Sequence, residues 1–390
     1  MRALVLIGTR PEAIKMAPLV AEARRRGLDV PVVATAQHRD LLDQVLRLFG
    51  IVPEQDLDLM RSDQSLSYLT ARAIAALDPV VVAESPDWIL VQCDTTTAMV
   101  GALVGFYRRI RVGHVEAGLR TFDLARPFPE EANRRWIDVV AAAHFAPTAS
   151  TRDNLLREGT DPASVHVVGN TVVDALHAVR AMPPAPAGDD HPVPALRPGE
   201  RLVLVTAHRR ESFGEGMRSI ANALADIAHT WPDVRVVYPV HPNPNVRRPM
   251  HERLSGVDRV HLVEPLGYRD FVQMLSRAHL VVSDSGGVQE EAPSLGVPAL
   301  VLRDVTERPE AIEAGAVRLI GTDPAAILEA ARSILDDPRA HARMAQVVNP
   351  YGDGHASERI VSILLGEPWL PFDPATAARP DASSGTAGTR

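Results

Sequence analysis

Two Rossmann-like, doubly wound α/β domains facing each other across a cleft are the fold class that this sequence predicts, and three observations predict it. Short apolar runs alternate with segments long enough for helices along most of the chain, which is the pattern of a parallel sheet covered on both faces. The alternation breaks once, at residues 183–199, where PPAPAGDDHPVPALRPG can sustain neither a helix nor a central strand, and then restarts. With 390 residues, 46% of them hydrophobic, the chain has material for two cores rather than one.

The elements follow in order. Residues 4–7 form an apolar run ending at Gly8, and residues 11–26 show helical spacing through Ile14, Leu19 and Ala23. Further strand-like runs lie at 30–35, 88–92, 110–115, 143–146 and 165–168, and a helix-like stretch at 172–179 completes a first domain over 1–182. After the linker at 183–199, runs at 202–206, 234–239, 260–263, 280–283 and 299–302 define a second domain over 200–354. A helix is expected near 355–366, and the Ala-, Pro-, Ser-, Thr- and Gly-rich tail at 371–390 is expected to be disordered. Parallel sheets bind ligands at the carboxyl ends of their strands, so the cleft between the domains is the expected site.

Charge and composition narrow the function. A net charge of −8 argues against a general nucleic-acid surface, although local arginines can still hold one small anion. Cys93 is the only cysteine, which excludes a disulfide framework and a thiolate metal cluster and suits a reducing, cytoplasmic setting. No stretch reads as a membrane span, and the apolar N-terminal run is too short for a signal peptide. Without an HExxH or CxxC pattern, no metal site is expected.

Chemistry-bearing residues gather at the predicted strand tips. The first strand ends in GTRPEAIK, which lacks the GxGxxG of a dinucleotide fingerprint but offers Arg10 and Lys15 to a phosphate; solvated surface cations are the alternative. Asp94 follows the third run and Glu116 the fourth, while Glu130 and Glu131 follow a turn bearing Pro127 and Pro129. Asp94 and Glu131 have the bland alternative of capping helices. Three carboxylates in one cleft would instead shift one another's pKa values and supply both an acid and a base. His208, beside two arginines at another strand tip, is suited to a phosphate or to acid catalysis, and His241 has a similar position. SDSGGVQEE at 283–291 reads as strand, turn and helix, with Ser285 as a cap and Gly286 and Gly287 allowing close approach of an anion. Arg308 follows the next strand.

Taken together, GTRPEAIKMAPL, TAQHRDLLDQVL, DTTT at 94–97, GHVEAGLRT, FPEEANR, HRRESFGEG, SDSGGVQEEAPSLG, TERPE and NPYGDG resemble the bacterial non-hydrolysing UDP-N-acetylglucosamine 2-epimerases over about residues 1–366. The resemblance implies a fold of glycosyltransferase-B type, a final helix returning to the first domain, and a homodimer. It implies reversible C2 epimerisation to UDP-N-acetylmannosamine, by elimination of UDP to 2-acetamidoglucal and re-addition, with no cofactor. By matching position, Asp94, Glu116, Glu130 and His208 are the implied catalytic residues. Arg10, Lys15, Phe271, Ser285, Gly286, Gly287, Glu291 and Arg308 are the implied ligands of substrate and UDP, Glu291 through the ribose hydroxyls.

Departures from the pattern carry expectations too. Cys93 stands where a glycine is expected, and Leu266 replaces a glutamine. In the family's regulatory second site, Gln37, His38, Arg210 and His241 match, but Asp40 replaces a glutamine and Asp63 an arginine. An anion in place of a cation reverses an interaction worth about 1–3 kcal/mol, so weak or absent substrate activation is expected. Alternative activities are a hydrolysing epimerase that releases UDP and N-acetylmannosamine and, in another class, a non-catalytic sugar-nucleotide sensor; retention of the carboxylates argues against the sensor.

Overall fold

The computed structural model describes residues 1–35, 39–59, 61, 64–183 and 196–377. The chain divides into two compact units: unit 1 joins Met1–Ala178 to Tyr351–Asp373, and unit 2 holds Val179–Pro350 with the chain from Pro374.

In unit 1 the strands are β1 (Ala3–Ile7), β2 (Val32–Ala34), β3 (Gln55–Asp56), β4 (Trp88–Gln92), β5 (Arg111–Val115), β6 (Ala143–Ala146) and β7 (Val165–Val167). All pair in parallel in the order β3-β2-β1-β4-β5-β6-β7. β1 and β4 are buried along their whole length, as a central strand covered by helices on both faces must be. The strand order reverses between β1 and β4, and the site residues of this unit lie around that switch point.

Unit 2 repeats the plan with β8 (Arg201–Thr206), β9 (Val234–Pro239), β10 (Val260–Val263), β11 (Leu280–Ser283), β12 (Ala299–Val301) and β13 (Val317–Leu319), ordered β10-β9-β8-β11-β12-β13. Its switch point lies between β8 and β11, which pair from Leu280 opposite Val203 to Ser283 opposite Thr206. Helix Glu215–Thr230 buries eight residues, including Met217, Ile220, Leu224 and Ile227, in the unit's core beside Tyr238 and Leu300.

Sequence and structure differ at short or ambiguous elements. β3 and β13 were not expected: the first is two polar residues long, the second three residues with a central arginine, so neither makes an apolar run. The reading that no stretch has the length and apolarity of a membrane span is corrected by helix Leu66–Glu84, 19 residues with a mean hydropathy of 1.4 in its most apolar window. That helix joins the unit 1 core through Leu69, Ala73, Leu77, Val80 and Val81. Order continues past residue 371, where a disordered tail was expected to begin. Phe372 is buried, and its N–H donates to the Val167 carbonyl at 2.9 Å. Residues 184–195 of the linker and 378–390 of the tail lie outside the described residues.

The late helix Ala356–Leu365 is a part of unit 1. Its N-cap residue, His355, makes no capping bond through its side chain. Asp174 supplies the acceptor instead, taking the Ser357 N–H at 2.7 Å and the Ala356 N–H at 3.3 Å. Burial pushes the Asp174 carboxyl up to about 6, against the opposing pull of those bonds.

Candidate active site

Four charged residues surround the end of β4 in unit 1. Cys93 and Glu116, which follow β4 and β5, take φ values of +57° and +66°, a region that side-chain-bearing residues visit rarely and mostly where the surroundings enforce it. The Cys93 N–H donates to the Val115 carbonyl at 2.9 Å, which locks the two strand tips together. Glu116 is buried, and both of its oxygens lie 2.6 Å from Lys15 Nζ. It also accepts from Asn170 Nδ2 at 2.9 Å and from Gln92 Nε2. A buried carboxylate needs such a set, because desolvation costs several kcal/mol unless charge and hydrogen bonds compensate.

Asp94 pairs with Arg134, whose Nη2 donates to Oδ2 at 2.6 Å, and Asn133 Nδ2 donates to the Asp94 carbonyl at 2.9 Å. All four charges reach the Cys93 thiol: burial pushes it well up, the Asp94 and Glu116 carboxylates add to that, and Arg134 and Lys15 oppose it. Glu130 opens helix Glu130–Val140, one turn before Arg134 and on the same side of the helix. Its neighbour Glu131 is fully buried and accepts the N–H groups of Thr121 and Phe122, each at 3.1 Å, so it shapes the preceding loop.

Behind β5, His114 touches the Cys93 carbonyl through Nε2 at 2.7 Å and Asp138 through Nδ1 at 2.5 Å. Burial raises the Asp138 carboxyl, but His114 and Arg120 outweigh it and hold the group low. This network props the turn that presents Asp94.

The other cluster lies in unit 2. Asp284, directly after β11, is fully buried and accepts the N–H groups of His208 and Arg209 at 2.7 and 2.8 Å, tying the end of β8 to the end of β11. His208 Nδ1 stands 3.5 Å from Asp284 Oδ1, and the His208 ring stacks on His241 with centroids 5.5 Å apart. Burial and the neighbouring His208 push the His241 pKa down.

Gly286 and Gly287 open a helix of only six residues, Gly286–Glu291. Ser285 sits at the cap position, but its side chain makes no capping bond; its N–H donates to Ser283 Oγ at 2.9 Å. Such a short helix has little dipole, so the charge available to an anion comes from side chains. Arg308 is the nearest: a Cβ on Gly286 would lie 2.9 Å from Arg308 Nη1. Glu290 holds Arg308 Nε at 2.6 Å, and Glu307 holds Nη1 at 2.5 Å. Arg303 also reaches Glu307, at 3.0 Å. Burial raises the Glu307 carboxyl, but Arg308 and Arg303 outweigh it and bring it to about 2. Glu291 accepts from the Tyr268 hydroxyl at 2.8 Å, and Phe271 lies half-buried one turn along the same helix, Tyr268–Arg277.

These local plans have known counterparts. A family model described as UDP-N-acetylglucosamine 2-epimerase matches residues 21–365. The chain belongs to that family. A Yersinia pestis UDP-N-acetylglucosamine 2-epimerase is 51% identical over 369 residues, covering 93% of this chain and 98% of the relative. The crystal structure of the Neisseria meningitidis UDP-GlcNAc 2-epimerase bound to UDP-GlcNAc has a TM-score of 0.87 at 45% identity, covering 94% of this chain and all of that one. At 13% identity, a glycotransferase of kitacinnamycin shares the fold alone, with a TM-score of 0.64. The units are thus of the expected glycosyltransferase-B type.

Within this epimerase-family chain the structure groups Lys15, Asp94 and Glu116 in unit 1, with Arg10 at the start of the helix that carries Lys15. Lys15, expected to serve a diphosphate with Arg10, pairs with Glu116 in this structure. In unit 2, His208, Ser285, Gly286, Gly287, Glu291 and Arg308 lie around β11, and Arg210 starts the short turn Arg210–Ser212. Gln37, His38, Asp63 and the side chain of Asp40 lie outside the described residues. Gln92, Asn170, Asp284 and Glu12 were not singled out. Only Asp284 carried a signal, as the acid inside a predicted anion loop.

Proposed function

We propose that the protein catalyses the reversible C2 epimerisation of UDP-N-acetylglucosamine to UDP-N-acetylmannosamine without hydrolysing it. The C1–O bond breaks with its electron pair leaving on the β-phosphate, and the C2 proton passes to a carboxylate. The products of this half are 2-acetamidoglucal and UDP. A carboxylic acid then protonates the opposite face of C2 while UDP re-adds at C1, so atoms and charge balance and no external oxidant is needed. Asp94, Glu116 and Glu130 manage the proton, while His208, Arg10, Arg308 and the Ser285–Gly287 turn bind the diphosphate and neutralise its growing charge. Lys15 anchors Glu116 as its ion-pair partner.

The observation that carries this reading is the pair of separately anchored carboxylates, Glu116 on Lys15 and Asp94 on Arg134, at adjoining strand tips. Acid and base on one carbon require two such groups in different settings. Incubation with UDP-N-acetylglucosamine in deuterium oxide tests it: the expected result is UDP-N-acetylmannosamine with deuterium at C2 in both sugars. Free N-acetylmannosamine would indicate the hydrolysing reaction, and unchanged substrate would reject catalysis.

Two further parts belong to the same proposal. Substrate activation is weak, because Asp63 and Asp40 put carboxylate where a cation and an amide are expected; a sigmoidal velocity curve abolished by Asp63→Ala rejects it. The protein is a homodimer through unit 1. Helices Leu66–Glu84, Thr96–Tyr107 and Glu130–Val140 pack side by side and leave Tyr68, Val82, Phe106, Tyr107, Trp136 and Val139 exposed. A second copy would cover these residues and account for the apolarity of Leu66–Glu84. Light scattering should report a dimer that Val139→Asp converts to monomer.

A further inference from the structure

Glu12 lies in the GTRPE segment, and the mechanism above gives it no role. Its side chain is 1% exposed, and every hydrogen bond that it makes comes from a neutral donor. Oε2 accepts the Gly8 N–H at 3.0 Å and the Thr9 hydroxyl at 2.7 Å, while Oε1 accepts the Thr95 hydroxyl at 2.7 Å.

Both threonines are helix caps. Thr9 Oγ1 accepts the Glu12 N–H of helix Arg10–Arg25 at 3.4 Å, and Thr95 Oγ1 accepts the Ala98 N–H of helix Thr96–Tyr107 at 3.0 Å. A hydroxyl has one hydrogen. By taking that hydrogen from each threonine, a carboxylate leaves their lone pairs to the helix N–H groups. One acceptor therefore sets the polarity of two caps, on either side of the switch point between β1 and β4.

What the two caps carry makes this functional. The first helix holds Lys15, and through it Glu116; the cap of the second, Thr95, directly follows Asp94. The room between them is already minimal, since a Cβ on Gly8 would lie 2.4 Å from Thr97 Oγ1. We infer that Glu12 is a positioning residue that fixes Asp94 relative to the Lys15–Glu116 pair by orienting the Thr9 and Thr95 hydroxyls across the switch point. The inference rests on the proposed proton-transfer role of Asp94 and Glu116. It also accounts for a costly burial: desolvation lifts the Glu12 carboxyl to about 7, and the three donors only partly offset it.

The test compares Glu12→Gln, Thr95→Val, Thr95→Ser and Asp94→Asn in the full chain, reading kcat, KM, UDP affinity by calorimetry and Tm. Glu12→Gln keeps the shape but adds a donor, and should lower kcat about 10-fold or more with KM and UDP affinity within about two-fold, as expected for a misplaced reacting group. Thr95→Val should behave likewise and Thr95→Ser, which keeps the hydroxyl, should match the wild type. Wild-type kcat in Glu12→Gln or Thr95→Val beside an inactive Asp94→Asn overturns the inference, as does a loss of kcat that tracks only the unfolded fraction. Full turnover by Asp94→Asn removes the proton-transfer reading and this inference with it. Should Glu12→Gln fail to fold, the Thr95 pair alone decides.

Discussion

At the switch point of unit 1 a buried glutamate, Glu12, joins two strand tips through threonine hydroxyls, whereas at that of unit 2 a buried aspartate, Asp284, joins them through the backbone N–H groups of His208 and Arg209. The topology is the same on both sides: the central strands are β1 and β4 in one unit, β8 and β11 in the other. The donors differ in kind. A backbone N–H is a permanent donor with a fixed direction, and a hydroxyl is a rotor whose polarity depends on what faces it. Unit 2 thus presents a turn fixed by its backbone, with cations about it, which suits a constant anionic ligand. Unit 1 presents carboxylates beside caps whose hydroxyls turn toward Glu12, which suits proton transfer.

The comparison breaks most readily at the carboxylates. Glu116→Gln should lower C2 deuterium exchange by about 10²–10⁴-fold, the usual contribution of general acid–base catalysis, while UDP affinity stays within error. Exchange at the wild-type rate would sink the division of labour. Arg308→Ala should do the converse, weakening UDP binding about 10–100-fold in calorimetry, since it removes charge-assisted bonds to phosphate. If UDP affinity survives that change, the phosphates bind elsewhere.

Gly286→Ala is a subtler probe of the same turn. The new methyl meets Arg308 Nη1 at 2.9 Å, and because Glu290 and Glu307 pin that guanidinium, it cannot simply swing aside. UDP affinity should fall about three- to ten-fold, and an unchanged value would show that the guanidinium yields freely.

Stability against pH sharpens the contrast with the smallest signal. Glu12 at about 7 and Asp174 at about 6 hold their protons in the folded state beyond the ordinary carboxylate range. Their contribution to stability is full below that range and is lost as pH rises through 6 to 7. Two groups of unit 2 have the opposite sign. Glu307 at about 2 contributes stability that is present above the ordinary range and lost as pH falls. His279, which burial and the stacked His341 lower to about 4, loses its contribution as pH falls from about 6.5 to 4. Hydrogen exchange corrected for intrinsic rates should therefore show amides around Glu307 and His279 losing protection on acidification, and those around Glu12 and Asp174 losing it as pH rises through 6 to 7. The same direction of change at both sets would contradict these assignments.

Much of this frame was legible because parallel central strands are continuous apolar runs: residues 88–92, 143–146, 234–239, 260–263 and 280–283 read as strands and form β4, β6, β9, β10 and β11 with those bounds. Site residues followed from the rule that strand tips bind ligands, which brought out Asp94, Glu116 and His208. The partners that give them their properties were not legible. Gln92 looks like one more strand residue, and Asn170 lies 54 positions from the Glu116 that it serves. Lys15 pairs with Glu116 through a contact across 101 positions that local pattern cannot register. Glu12 resembles any first-turn helix acid until its burial and the second threonine cap are seen.

The helix Ala356–Leu365 has a consequence for biosynthesis. Unit 1 is discontinuous along the chain, and its segment Tyr351–Asp373 follows the whole of Val179–Pro350. A ribosome that has just added Pro350 has therefore completed the sheet of unit 2, while Asp174 still lacks the two N–H groups that it accepts in the finished protein. The unit translated first is the last to be finished.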